Sequence, residues 1–287
     1  MSATTYGRIA AGAALEPLRS RSGTLPEREL RRDAVAIDRK QLAAYDRVCG
    51  FVLSDRLPAT YPHVLAFPLA MELMASGSFP FGVLGLVHVG NAIEQLRPLD
   101  AGEPLDLRVW AENLADHPRG RTVDIVAEGH AGGELAWRDR STYLHREARR
   151  NGPGPTARPA QRNGPGPGAS AEWEVPGDTG RRYAAVSGDR NPIHLHGLAA
   201  RLFGQKAAIA HGMWTKARCL AALQGHLPDA FTVAVAFKLP VLLPAKVAFG
   251  TWIDDDVRRF ALRDARSGKP HLEGSVSSLA SPSASAA

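Results

Sequence analysis

Residues 149–170 read RRNGPGPTARPAQRNGPGPGAS, with the pentapeptide Asn-Gly-Pro-Gly-Pro present twice. Proline removes backbone donors and glycine raises the entropy of the unfolded chain, so no packed element is expected here. The stretch reads as a linker that splits the 287-residue chain into two halves, each large enough for a core of its own. The expected organisation is an N-terminal arm over 1–28, a first domain over 29–148, the linker over 149–170, a second domain over 171–280 and a frayed tail over 281–287.

The flanking halves resemble each other. Tyr45-Asp46-Arg47-Val48-Cys49-Gly50 and Tyr183-Ala184-Ala185-Val186-Ser187-Gly188 both read Y-x-x-V-small-G. Strand-like segments follow in both, Leu86 to Val89 and Thr232 to Val235. Each leads to a basic residue and a proline (Arg97-Pro98, then Lys238-Leu239-Pro240) and into a further strand, Leu105 to Trp110 or Lys246 to Trp252. Alternation over Thr122 to Ala127 and Arg259 to Arg263 continues the β pattern. The shared order predicts a duplicated domain.

Each half also carries a helical stretch between its tyrosine motif and its strands. In the second half it runs from Gly212 to Gln224, with Met213, Ala217, Leu220 and Ala221 on one face and Lys216 and Arg218 off it. In the first half Phe67 to Ala75 takes that part. The expected class is α+β, one helix followed by antiparallel strands, twice. The two halves are expected to pair as an intrachain pseudo-dimer that joins their sheets and covers their edges. The sequence leaves further homodimerisation open.

The chemistry concentrates in Tyr183 to Gly212. Asp189 and His194 flank Asn191-Pro192, a turn-forming pair that can bring carboxylate and imidazole to one side. Around one water, such a pair can work as acid and base near neutral pH. Gly188, just before Asp189, suggests unusual dihedrals or a close approach. Gly212 opens the second-half helix, where the first N–H groups have no partner within the helix. Without a Cβ to block a ligand, its N–H can bind a thioester carbonyl and stabilise the enolate formed from it.

Tyr183-x-x-Val186-Ser187-Gly188-Asp189-x-Asn191-Pro192-Ile193-His194, with Ala200 and the downstream Ala210-His211-Gly212-Met213, resembles the signature of the MaoC-like, (R)-specific enoyl-CoA hydratases (hydratase 2). A weaker resemblance to double hotdog proteins covers nearly the whole chain. The resemblance implies two tandem hotdog domains, each an antiparallel sheet wrapped around a long helix. It implies Asp189 and His194 as the catalytic pair and Gly212 as the oxyanion donor. It also implies reversible hydration of trans-2-enoyl thioesters of coenzyme A or acyl carrier protein to (3R)-3-hydroxyacyl thioesters, in fatty acid or polyketide metabolism, with no metal or redox cofactor. Tyr183, Ser187, Asn191 and His211 complete the expected substrate-binding set, together with Lys206 for carrier phosphates. The first half departs from the signature. Phe51 to Asp55 follow Gly50 with no Asp-x-Asn-Pro-x-His, and Phe67-Pro68 stands where His211-Gly212 is matched. Proline has no N–H to offer an oxyanion, so this half is expected to be catalytically silent.

His194-x-His196 with Asp189 and His211 would supply enough ligands for a metal, but nothing else in the chain supports one. Alone, Asp189 fits a turn residue and His194 a core histidine; the full motif weighs against both. A non-catalytic acyl-thioester-binding subunit would not need the pair, and a hotdog thioesterase can use a helix carboxylate that Met213 to Gln224 lacks.

The formal net charge of +6 reads mainly as solvated surface, compatible with a phosphorylated or acidic carrier. No basic stripe interleaved with aromatics points to nucleic acid. No apolar run approaches the ~20 residues of a membrane span, and Met1 to Ala14 lacks the pattern of a secretory signal. Cys49 and Cys219 form no CxxC and read as buried thiols, so a cytoplasmic location is expected.

Overall fold

The computed structural model describes residues 23–147 and 169–279. The tail expected over 281–287 and nearly all of the arm and linker lie outside them.

The local sequence explains where the first helix of each half starts and stops. Helix α1 (Arg39–Cys49) is capped by Asp38, whose carboxylate accepts from the N–H of Lys40 at 2.8 Å. Helix α3 (Thr179–Ser187) is its counterpart. The glycines that end the Y-x-x-V-small-G repeats close both helices, Gly50 at φ +83° and Gly188 at φ +77°. A left-handed residue at this position stops a helix, and glycine adopts it without Cβ strain. The repeat is thus a helix ending used twice. The two helices pack together, with the Tyr45 and Tyr183 rings 6.1 Å apart and the Gln41 amide donating to the Val186 carbonyl.

Ten strands form one sheet: β1 (Leu30–Val35), β2 (Leu86–Gln95), β3 (Leu105–His117), β4 (Gly120–Ala131), β5 (Glu134–Arg146), β6 (Ala171–Val175), β7 (Phe231–Phe237), β8 (Ala245–Asp254), β9 (Val257–Asp264) and β10 (Pro270–Ser278). Their order is β1-β3-β4-β5-β2-β7-β10-β9-β8-β6. Read outward from the centre, both wings repeat one connectivity. The wings join where β2 and β7 pair antiparallel, from Gly90 opposite Ala236 to Gln95 opposite Phe231. The alternating burial of β3 shows why it sits half-buried: Leu105, Leu107 and Val109 face inward while their neighbours do not.

Each wing wraps a central helix, α2 (Tyr61–Met74) in the first and α6 (Gly212–Ala222) in the second. This is the α+β double hotdog. Fully buried Leu73, Phe231 and Leu262 belong to the core between helices and sheet, each such side chain contributing about 1.5–3 kcal/mol by leaving water. Two short helices, α4 (Pro192–Leu195) and α5 (Gly197–Leu202), precede α6.

Two sequence expectations are corrected. The first central helix starts at Tyr61, not Phe67, so Pro68 lies inside it and Pro62 occupies its first turn. Most of the helix is buried on every side, which leaves no apolar stripe from which to read its start. Lys216, read as lying off the buried face, has no exposed surface. Its ammonium donates to Asn91 Oδ1 at 2.5 Å and to the Val233 carbonyl at 3.1 Å, because β2 and β7 cover that side of α6. Cys49 and Cys219 are buried and free, and no helix among the described residues is long and apolar enough to cross a membrane.

Candidate active site

A cavity of about 420 Å³ opens at the N-terminal end of α6. The loop between α3 and α4 supplies its acid. The Asp189 N–H donates to Ser187 Oγ, and Asp189 Oδ1 accepts the Asn191 N–H at 3.1 Å. Asn191 in turn caps α4 by accepting the Ile193 N–H, and Pro192 takes the first helical position, where its missing N–H costs nothing. The turn expected from Asn191-Pro192 is therefore present, and His194 stands on the short helix it starts.

His194 is fixed by one bond. Its Nδ1 lies 2.9 Å from the Ile209 carbonyl. A carbonyl only accepts, so Nδ1 carries the proton and Nε2 keeps its lone pair. Burial lowers the imidazole pKa below the ordinary histidine range, against the opposing pull of Asp189. The His211 ring stacks on that of His194, with centroids 3.7 Å apart. His211 Nε2 donates to the Asp189 carbonyl at 3.0 Å and lies 3.8 Å from Oδ2 of the same residue. Burial pushes His211 down to about 3, so it is a neutral strut between the acid loop and α6.

Helix α6 begins at Gly212 with no side chain capping it. Its first N–H groups have no partner within the helix and carry the positive end of the helix dipole. Gly212 lines the same cavity as Asp189 and His194. Tyr183, Ser187, Asn191 and His211 line it too, the Tyr183 ring leaning on His211 at 4.9 Å. Lys206 does not; it is exposed in an adjoining groove that shares Gln205, Leu239, Pro240 and His271 with the cavity.

Asp189, His194 and His211 place ligand-type atoms within 4.8 Å of one another. His196, added to that set in the sequence reading, is exposed and outside it. With His194 Nδ1 and His211 Nε2 both committed to carbonyls, the donors left to a metal are His194 Nε2, His211 Nδ1 and the carboxylate.

The resemblance to double hotdog proteins allowed the first half a share in widening an acyl tunnel, but the sequence pointed to none of the residues it contributes to this cavity. His63, on the first turn of α2, and His88 and Tyr143, on β2 and β5, all line it. His63 Nδ1 is paired with Asp139, which also accepts from the Asn91 amide. A histidine within an otherwise apolar stretch, Tyr61 to Phe67, was the one local signal.

Residues 160–274 match the MaoC-like domain family. A 3-hydroxyacyl-thioester dehydratase X of Mycobacterium tuberculosis is 39% identical over 272 residues, spanning 95% of this chain and 96% of that one. The crystal structure of HtdX from the same organism superposes with a TM-score of 0.78 at 37% identity, covering 88% of this chain and all of that one. A MaoC-like dehydratase from Phytophthora capsici shares the fold, with a TM-score of 0.73 at 19% identity over 89% of this chain and 96% of that one.

Proposed function

This chain belongs to the MaoC-like dehydratase family, and from that premise we propose that it hydrates trans-2-enoyl thioesters reversibly to (3R)-3-hydroxyacyl thioesters. The thioester carbonyl accepts the Gly212 N–H, where the start of α6 stabilises the enolate that forms as charge moves onto oxygen. One water sits between the Asp189 carboxylate and His194 Nε2. Its oxygen bonds to C3, its proton passes to the pair, and the pair returns a proton to C2 as the enolate collapses. The reverse path eliminates the same water. The two groups act as a unit, and their titration belongs to the pair.

The observation that carries this reading is the His194 Nδ1 bond to the Ile209 carbonyl. It leaves the Nε2 lone pair free on a residue that lines the same cavity as Asp189 and Gly212. The acyl group lies in the cavity, and the carrier leaves through the adjoining groove, where Lys206, Arg266 and Lys269 meet the phosphates of coenzyme A or of an acyl carrier protein. The first half lacks the acid/base motif and opens its helix with Tyr61-Pro62, so each chain has one active site.

The test is loss of the enoyl-thioester absorbance with crotonyl-, octenoyl- and dodecenoyl-CoA, with chiral analysis of the product. Asp189→Asn and His194→Ala are each expected to lower turnover about 10²-fold or more. Absence of hydration with all three thioesters, or full activity in a folded double variant, overturns the reading.

A further inference from the structure

The cavity does not end at the acid/base pair. Phe237 presses on the start of α6, its ring 3.1 Å from where a Cβ on Gly212 would stand. His88 leans on Phe237 with ring centroids 4.9 Å apart, and Tyr143 stacks on His88 at 4.6 Å. This aromatic path leads from the oxyanion donor into the first half, where His63 stands over its buried partner Asp139. An alkyl chain would be matched by aliphatic walls. This end has aliphatic wall from Val64, Leu86 and Leu144, and set among it are two imidazoles and a phenol.

The polar groups here are built in rather than left over. Asp139 is 2% exposed in its side chain and is held by His63 and Asn91. Asn91 is held in turn by Lys216 of α6. Donation of the His63 Nδ1 proton to a buried carboxylate orients the ring and leaves Nε2 as the acceptor edge. His88 Nε2 is buried with no hydrogen-bond partner among the described residues. A buried polar atom left so costs about 1–3 kcal/mol, a cost that a bound polar group removes. Burial holds His88 neutral, down at about 3; His63, Lys216, Asp139 and Asp189 are the charged or titratable groups near enough to act on it.

We infer that His63, His88 and Tyr143 form a polar acyl subsite that selects thioesters bearing a hydroxyl or keto oxygen beyond the reacting carbons. This rests on the reading of the cavity as an acyl-thioester site. The oxygen bonds to the imidazole edges and the phenol, while a plain alkyl chain of equal length leaves them unpaired. The half without the acid/base motif then has a role in substrate choice.

Calorimetric titration with octanoyl-CoA and with its derivatives hydroxylated at each of carbons five to eight tests this apart from catalysis, since none of these thioesters can be hydrated. At least one hydroxylated thioester is expected to bind about tenfold more tightly than octanoyl-CoA, the size of one well-placed buried hydrogen bond. Tyr143→Phe removes the phenol. His63→Asn keeps a donor to Asp139 and deletes the ring edge. Each is expected to bring the ratio of hydroxylated to plain thioester affinity toward one. If every hydroxylated thioester binds no better than octanoyl-CoA, or the preference survives both variants, the subsite is refuted while the hydration assay still stands. If no thioester binds at all, both readings fail.

Discussion

The carbonyl oxygen of His194 lies 2.0 Å from where a Cβ on Gly180 would stand. Only a glycine in α3 lets the backbone carrying the imidazole come so close, and backbone cannot swing aside as a side-chain end can. Gly180→Ala is therefore expected to displace His194 and lower kcat about 10- to 100-fold, the penalty of a misplacement on the order of 1 Å. Gly225→Ala, where nothing lies within 4 Å, is the control and should leave kcat unchanged. Wild-type kcat in Gly180→Ala would show that His194 is not held by this contact.

The N–H of Gly212 can be removed without ending the helix. Gly212 is the first residue of α6, where proline is tolerated, and His211 before it has φ −66° and ψ 139°, the conformation that precedes proline. Gly212→Pro should melt within a few degrees of wild type yet cost about 3 kcal/mol in transition-state stabilisation. Gly212→Ala meets the same Phe237 ring but keeps its N–H, and should retain most activity. Equal kcat/KM in the two variants would mean that this N–H is no oxyanion donor.

Acid should weaken the fold through its buried histidines. Burial lowers the pKa of His194 and holds His88 and His211 at about 3. Once unfolded, all three bind protons near the ordinary histidine pKa of about 6.5. Their stability is complete above that pH and drains as the pH falls toward each folded pKa, at about 1.4 kcal/mol per pH unit each for His88 and His211. Asp46 runs the other way. Burial raises it from 3.8 to about 6, so it protonates first in the folded state and offsets one histidine. Thermal melting should show Tm falling from about pH 6.5 downward, and Asp46→Asn should steepen that fall and raise Tm at neutral pH. A flat Tm between neutral and pH 5 would contradict this.

In the proposed mechanism the Asp189–His194 pair and the helix-start N–H suffice without a metal, although Asp189, His194 and His211 converge closely. Protein stripped by a strong chelator and shown metal-free by elemental analysis is expected to keep full activity. Loss of activity restored by one specific metal would instead make His211 Nδ1 a ligand.

What the sequence determined by itself was local. The repeated Y-x-x-V-small-G could be read because a left-handed glycine ends a helix whatever surrounds it, as Gly50 and Gly188 both do. Asn191-Pro192 specified its turn from its own side-chain and ring chemistry. The strands were legible through alternation, and their shared order in the two halves anticipated the palindromic sheet. Tertiary structure decided what depends on coverage. The helix of the first half begins at Tyr61 because packing on all sides, rather than an apolar stripe, holds it. Lys216 is buried because Asn91, 125 positions away, supplies an acceptor. His63 meets Asp139 across 76 positions, a pairing with no local pattern, since it exists only once α2 has been laid across the sheet.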